Sequence, residues 1–128
     1  MRTYVLIALT CLLFSPALTQ ASLADGMAAY ERGDYPGAYT AFLQAAQQGD
    51  VYAQGKLGGL YLYGVGVEKD YIQAYAWFSL AARQGDTSAE KFRDAVADQL
   101  TIPQLREAAV LAEDYYDQYV LRQQEQNR

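Results

Sequence analysis

The sequence predicts an all-α protein, a short α/α solenoid (superhelix) of about three antiparallel helix pairs. The first observation is an internal repeat: residues 34–50 align with residues 70–86 at a shift of 36 residues, with ten of seventeen positions identical. Such a period is typical of stacked helical units that cannot bury their apolar faces alone. The second observation is that helix-capping residues stand at the start and the end of each copy. The third observation is that apolar residues recur at helical spacing between these caps.

The ends of the repeated helices are marked by the same residue types in both copies. Asp34 and Asp70 each precede an apolar-periodic run and can accept hydrogen bonds from free backbone amides of the first turn. Gly49 and Gly85 stand where the chain must become left-handed to end the helix. The two copies therefore predict helices of similar length.

One face of the second repeated helix is apolar, at the spacing i, i+3, i+4, i+7, i+8: Ala74, Trp77, Phe78, Ala81 and Ala82. Small and large residues alternate along it, which favours close helix pairs, so we predict that Trp77 belongs to the core rather than stacking on a ligand. Extended along the chain, the same criteria predict six helices, at about 23–32, 35–48, 51–63, 71–84, 87–99 and 102–124.

The last predicted helix begins with a capping box formed by Thr101 and Gln104, with Pro103 in the first turn. Its apolar stripe consists of Leu105, Ala108, Ala112, Tyr115 and Tyr119. Beyond Leu121 the chain is polar on every side, and we expect this end to fray.

Residues 1–21 have the features of a signal peptide. Arg2 gives a positive start, Val5–Phe14 is an apolar run too short to span a bilayer, and small residues precede Ser22. The alternative is a retained N-terminal membrane anchor. We expect cleavage before Ser22 and a periplasmic or secreted protein that has no membrane association afterwards.

Composition excludes several function classes. The chain has no histidine, one cysteine (Cys11) and a net charge of −5. Loss of the signal peptide removes Arg2 and Cys11, leaving 9 basic and 15 acidic residues, a net charge of −6, and no cysteine. Catalysis by histidine or thiolate and disulfides are therefore excluded. The lack of histidine and cysteine disfavours a zinc site, and the acidity disfavours nucleic acid as a partner. We expect no cofactor.

Signature residues fill the second repeat: Ala53, Leu57–Gly58, Leu60–Tyr61, Gly64–Val67, Asp70–Tyr71, Ala74, Trp77–Phe78, Ala81–Ala82 and Gly85. With them, residues 51–86 closely resemble a complete Sel-one-like repeat, a relative of the tetratricopeptide repeat. Residues 22–50 look like a tetratricopeptide-like unit, and residues 87–128 like a degenerate closing unit with a capping helix and a polar tail. The resemblance implies an all-α superhelix that acts as an adaptor for other proteins and not as an enzyme.

The binding residues are expected on the concave face, which is lined by the first helix of each unit. In the complete unit Tyr52, Gly59 and Tyr63 share one face, with Lys56 and Leu62 at its edges. By resemblance, the matching positions are Met27, Tyr30 and Glu31 in the first unit and Ser88, Lys91 and Ala95 in the closing unit. Tyrosines suit peptide recognition, so we predict that a protein or peptide docks on Tyr30, Tyr52, Lys56, Gly59 and Tyr63. The alternative is that these tyrosines only pack against neighbouring helix pairs.

A second function class rests on Ser88 and Lys91, which match the Ser-x-x-Lys pattern of penicillin-recognising enzymes. It would make the protein a cell-wall-associated factor that binds or hydrolyses a peptidoglycan or β-lactam-like ligand. The companion motifs are missing, so a chance match, with Ser88 capping a helix and Lys91 solvated, is favoured. Self-association through apolar ends of the superhelix is a third hypothesis.

Two carboxylate pairs, each one helical turn apart, could in principle share a cation: Asp94 with Asp98, and Glu113 with Asp117. Solvated helix faces explain both pairs more simply. We predict no metal site.

Overall fold

The computed structural model describes residues 22–128, and the regular structure in this range is helical. The elements are α1 (Leu23–Glu31), α2 (Tyr35–Gln47), α3 (Val51–Tyr63), α4 (Tyr71–Arg83), α5 (Thr87–Ala97), α6 (Ile102–Tyr116), a π-helical turn (Asp117–Leu121) and α7 (Arg122–Gln126). The predicted all-α solenoid is confirmed. The predicted signal peptide, residues 1–21, lies outside the described residues. Between residues 22 and 128, no helix is both long enough and apolar enough to cross a membrane.

Gly-Asp pairs turn the chain from one helix into the next. At Gly49 the backbone has a φ of +94°, and the amides of Gly49 and Asp50 donate to carbonyls in the last turn of α2. This is the Schellman arrangement, in which a left-handed residue ends a helix. Asp50 then begins α3, because its carboxylate accepts a hydrogen bond from the amide of Ala53 at 2.9 Å. The pairs Gly33–Asp34 and Gly85–Asp86 repeat this arrangement, so the predicted caps are confirmed.

Helix α4 lies at the centre of the core. It begins at Asp70, whose carboxylate accepts the amide hydrogen of Gln73 at 3.1 Å. Its predicted apolar stripe is buried except for Ala82, which is half-buried. Trp77 is 1% exposed, which confirms its predicted place in the core.

In each of the first two units, a glycine of the first helix lies against an aromatic ring of the second. A Cβ added to Gly58 would lie 2.8 Å from the ring of Phe78, and one added to Gly26 would lie 2.5 Å from the ring of Phe42. Carbon atoms pack at about 3.5–4.0 Å, so neither site has room for a side chain. The two helices therefore approach each other closely at Gly58, and the first unit has the same contact at Gly26.

The closing unit is arranged differently from the first two. Helix α6 packs on α4 and makes little contact with α5. The ring centroids of Tyr115 and Tyr119 lie 4.5 and 5.7 Å from that of Trp77, and the guanidinium of Arg83 lies 3.6 Å from the ring centroid of Tyr116. Stacking and cation–π contacts with α4 therefore hold α6 in place.

The helical segment that begins with α6 continues past α4 to the first unit. Val120 of the π-helical turn is buried in a cluster with Ala45 and Ala46 of α2. In α7, Nε2 of Gln123 donates to the carbonyl of Gln47 at 3.5 Å. The helix therefore extends to Gln126, slightly beyond the predicted range 102–124. It covers the convex side formed by α2 and α4.

Candidate partner-binding groove

Helices α1, α3 and α5, the first helices of the three units, line an open groove of about 490 Å³. We call it the concave groove. Its lining consists of Met27 and Tyr30 of α1, Phe42 of α2, Tyr52, Gly55, Lys56, Gly59, Leu60 and Tyr63 of α3, Val65, Phe78 of α4, Asp86, and Ser88, Ala89 and Phe92 of α5.

All five residues of the predicted binding site lie around the concave groove, including Lys56 and Gly59. Tyr52 and Tyr63 are 72% and 68% exposed, so the alternative that they only pack against neighbouring helix pairs is wrong for these two. Tyr30 is 44% exposed, and its ring makes an edge-to-face contact with a neighbouring tyrosine ring at 5.2 Å. The role of the five residues in binding stays a prediction.

The remaining candidate positions, which are Leu62 and those assigned by resemblance, have three kinds of surroundings. Met27 and Ser88 line the concave groove. Leu62 packs instead against the cluster between α4 and α5. The others are exposed and are not part of the groove lining: Glu31, Lys91 and Ala95.

Sequence reasoning missed Gly55, Asp86 and Phe92, which also line the concave groove. Phe92 is 45% exposed, and its ring stacks on that of Phe78 with the centroids 5.4 Å apart. It follows Ser88 by four residues on α5, so the i, i+4 spacing would have selected it in place of Lys91.

The glycines of α3 shape one side of the concave groove. A Cβ added to Gly59 would meet no atom within 4 Å, and one added to Gly55 would lie 3.4 Å from Oδ2 of Asp86. Because both residues lack side chains, the backbone of α3 is accessible between Tyr52 and Tyr63. Gly58, by contrast, faces the core, so the adjacent residues Gly58 and Gly59 lie in the core and on the open groove, respectively.

The groove lining carries one positive and one negative side chain, Lys56 and Asp86. Lys56 precedes Leu60 by one helical turn, and Leu60 packs with residues of α1 and α2, so Lys56 lies on the α1 side of α3. Asp86 lies at the start of α5, where Oδ1 accepts the amide hydrogen of Ala89 at 3.0 Å. Among the described residues, neither Lys56 nor Asp86 forms an ion pair.

A second group of tyrosines lies outside the groove lining. The hydroxyls of Tyr39 and Tyr61 are 2.8 Å apart, and the hydroxyl of Tyr115 donates to Oε1 of Gln73 at 2.7 Å. Burial raises the pKa of Tyr61, and the hydrogen bond with Tyr39 raises it further. Burial also raises the pKa of Tyr115, although the hydrogen bond to Gln73 acts in the opposite direction. Both side chains are therefore held neutral in the folded protein.

We expect the protein to lose stability above about pH 10, the ordinary pKa of tyrosine. In that range the unfolded chain releases protons that folded Tyr61 and Tyr115 retain, so the free energy of unfolding falls as the pH rises toward the folded pKa values. Urea unfolding between about pH 8 and pH 11 measures this fall. Tyr61→Phe should make it shallower, whereas Tyr63→Phe, at an exposed site, should leave it unchanged. A stability independent of pH in this range would contradict the prediction.

The two residues of the Ser-x-x-Lys pattern, Ser88 and Lys91, lie in different surroundings. Ser88 lines the concave groove, whereas Lys91 is exposed and does not. The predicted capping role of Ser88 is wrong, because the carboxylate of Asp86 caps α5 two residues earlier. No geometric observation therefore favours the cell-wall alternative.

The predicted carboxylate pairs are engaged in part with arginines. Glu113 lies 3.0 Å from Arg83, and Asp94 lies 2.8 Å from Arg93. Within residues 22–128, no group of three or more Cys, His, Asp or Glu side chains could hold a metal ion.

Stacked helical units whose first helices line a concave groove define a short α/α solenoid, a class of protein that presents an extended binding surface. Residues 51–86 match the family model of the Sel1 repeat. Residues 51–86 therefore form a Sel1 repeat, as their resemblance to the Sel-one-like repeat predicted. Repeats of this family typically form protein–protein interaction scaffolds and are generally not catalytic.

A solved structure is similar to most of the chain. It is a protein of uropathogenic Escherichia coli strains, described as a protective antigen that displays an SLR (Sel1-like repeat) fold. The two are 34% identical with a TM-score of 0.73, and the match covers 79% of this chain and 23% of that one. The chain thus spans about a quarter of that relative's length. No curated protein matches the chain significantly.

Proposed function

We propose that the chain is a secreted or periplasmic interaction module that docks a protein or peptide in the concave groove. The observation that carries the docking face is the exposure of Tyr52 and Tyr63 on either side of the open space above Gly59. Such tyrosines offer a large contact area and lose little rotamer entropy on binding. Among the described residues, the helix that begins with α6 covers the convex side, whereas the concave groove is open.

The secreted or periplasmic location rests on the sequence of residues 1–21. Its support is the positive start and the apolar run Val5–Phe14, followed by small residues before Ser22. Ser22 also caps α1, because its hydroxyl accepts the amide hydrogen of Asp25 at 3.2 Å. Ser22, the first residue of the expected mature chain, is thus the N-cap of α1.

The test is to replace Tyr52 and Tyr63 by alanine. The partner is first captured from the cell envelope fraction with the wild-type protein, and its Kd is then measured for each variant. We expect each substitution to weaken binding about tenfold or more, because exposed aromatic anchors dominate such interfaces. The free energy of unfolding should change by less than about 0.5 kcal/mol, since both side chains are mostly exposed.

Matched controls are available on α6. Ile102 and Val110 are 70% and 63% exposed and are absent from the groove lining. Replacing them by alanine should leave the Kd unchanged. A large drop in Tm for the tyrosine variants, or equal binding by all four, would contradict docking in the concave groove.

A further inference from the structure

The concave groove contains a slot on its α5 side. Its floor is formed by Gly55 and Gly59, one wall by the exposed ring of Phe92, and one end by the carboxylate of Asp86. We call these four residues the Asp86 slot. Along α3, Tyr52 precedes Gly59 by two turns, so it lies on the same face of the helix as the floor of the slot. The slot is therefore apolar along its length and acidic at one end.

Asp86 has an oxygen that its capping role does not use. Oδ1 accepts the amide hydrogen of Ala89, while Oδ2 lies 3.4 Å from the position of a Cβ at Gly55. The carboxylate is thus directed over the glycine of the neighbouring helix. Asp50 caps α3 in the same way but does not line the groove, so capping alone does not require this placement.

We propose, on the basis of the docking function above, that the Asp86 slot binds a lysine or arginine side chain of the docked peptide. The aliphatic stem of such a residue packs along Phe92 and the uncovered backbone of α3, and its charged end reaches Oδ2 of Asp86. The ring of Phe92 adds a surface suited to a cation. The net charge of −6 over residues 22–128 draws basic segments toward the protein.

Lys56 does not compete for this carboxylate. It lies on the α1 side of α3, one turn before Leu60, and no ion pair joins it to Asp86. A peptide with a neutral or acidic residue in the slot would leave Oδ2 of Asp86 without a charged partner in an apolar surrounding, which costs binding free energy. The slot therefore selects for a basic residue.

The test uses a phage-displayed random peptide library, selected in parallel on the wild-type protein and on Asp86→Asn, Asp50→Asn and Gly59→Leu. Asparagine caps a helix as well as aspartate does, so both Asn variants keep their fold. Only Asp86→Asn removes charge from the groove, and Gly59→Leu fills the open space above α3. We expect a recurrent Lys or Arg among the peptides selected by the wild type and by Asp50→Asn. Peptides selected by Asp86→Asn should lack this recurrent basic residue. The peptides selected by the wild type should not bind to Gly59→Leu.

A selected peptide then gives the quantitative result. Replacing its Lys or Arg by norleucine should raise the Kd about tenfold for the wild type and less than about twofold for Asp86→Asn. Peptides that need the space at Gly59 but carry no basic residue, or whose basic residue matters equally on Asp86→Asn, overturn the slot assignment and leave groove docking intact. If no selected peptide is sensitive to Gly59→Leu, Tyr52→Ala or Tyr63→Ala, groove docking fails and the slot assignment fails with it.

Discussion

Replacing Trp77 by alanine is expected to lower the free energy of unfolding by about 3–5 kcal/mol. Its side chain is almost fully buried in a cluster that joins residues of α2, α3 and α4 with Val120, and its ring packs on Tyr115 and Tyr119. Removal of the indole leaves a cavity between the units and takes away the surface on which α6 docks. Because small domains are stable by only about 5–15 kcal/mol, this loss is a large fraction of the total.

Urea unfolding followed by circular dichroism measures this effect. Tyr52→Ala is the matched control, since it removes an aromatic ring of similar size from an exposed site and should change the free energy of unfolding by less than about 0.5 kcal/mol. If Trp77→Ala cost less than about 1 kcal/mol, the indole would not be the central packing element that its burial indicates.

Gly58→Ala and Gly59→Ala are expected to have opposite effects although the two residues are adjacent in α3. A methyl group on Gly58 collides with the buried ring of Phe78, so we expect a loss of about 1–3 kcal/mol from overpacking. A methyl group on Gly59 meets open space, and the higher helix propensity of alanine should stabilise the protein by about 0.5–1 kcal/mol.

The comparison needs no further control, because each variant serves as the reference for the other in the same helix. The difference in unfolding midpoint between the two measures the close approach of α3 and α4 directly. Two changes of the same sign would mean that Phe78 moves aside or that Gly59 is not open.

Elements governed by local chemistry were predictable from the sequence. The capping aspartates and the glycines that end helices act within a few residues, so Asp34, Gly49 and Gly85 could be assigned their roles without a structure. The helical spacing of apolar residues in α4 placed Trp77 in the core, and the helical spacing within α3 placed Tyr52 and Tyr63 on one face.

Features that depend on contacts between distant segments were not predictable in this way. Asp50 and Asp86 both follow a glycine and both cap a helix, so the sequence does not show which of them lines the groove. The packing of α5 beside α3 places only Asp86 there. The placement of α6 depends on aromatic contacts with Trp77, which is more than thirty residues away in the chain. The sequence repeat does not predict these contacts. For the same reason the sequence could not show that the end beyond Leu121 is supported, since this support comes from α2.

The helix that runs from α6 to α7 changes how the repeat array unfolds. In an open solenoid each unit touches only its neighbours, so the ends can unravel independently. Here Gln123 and Val120 contact α2, and the Gln123–Gln47 hydrogen bond joins residues 76 positions apart in the sequence. The last helical segment thus contacts the first unit, and we expect the three units to unfold in one cooperative transition rather than from either end.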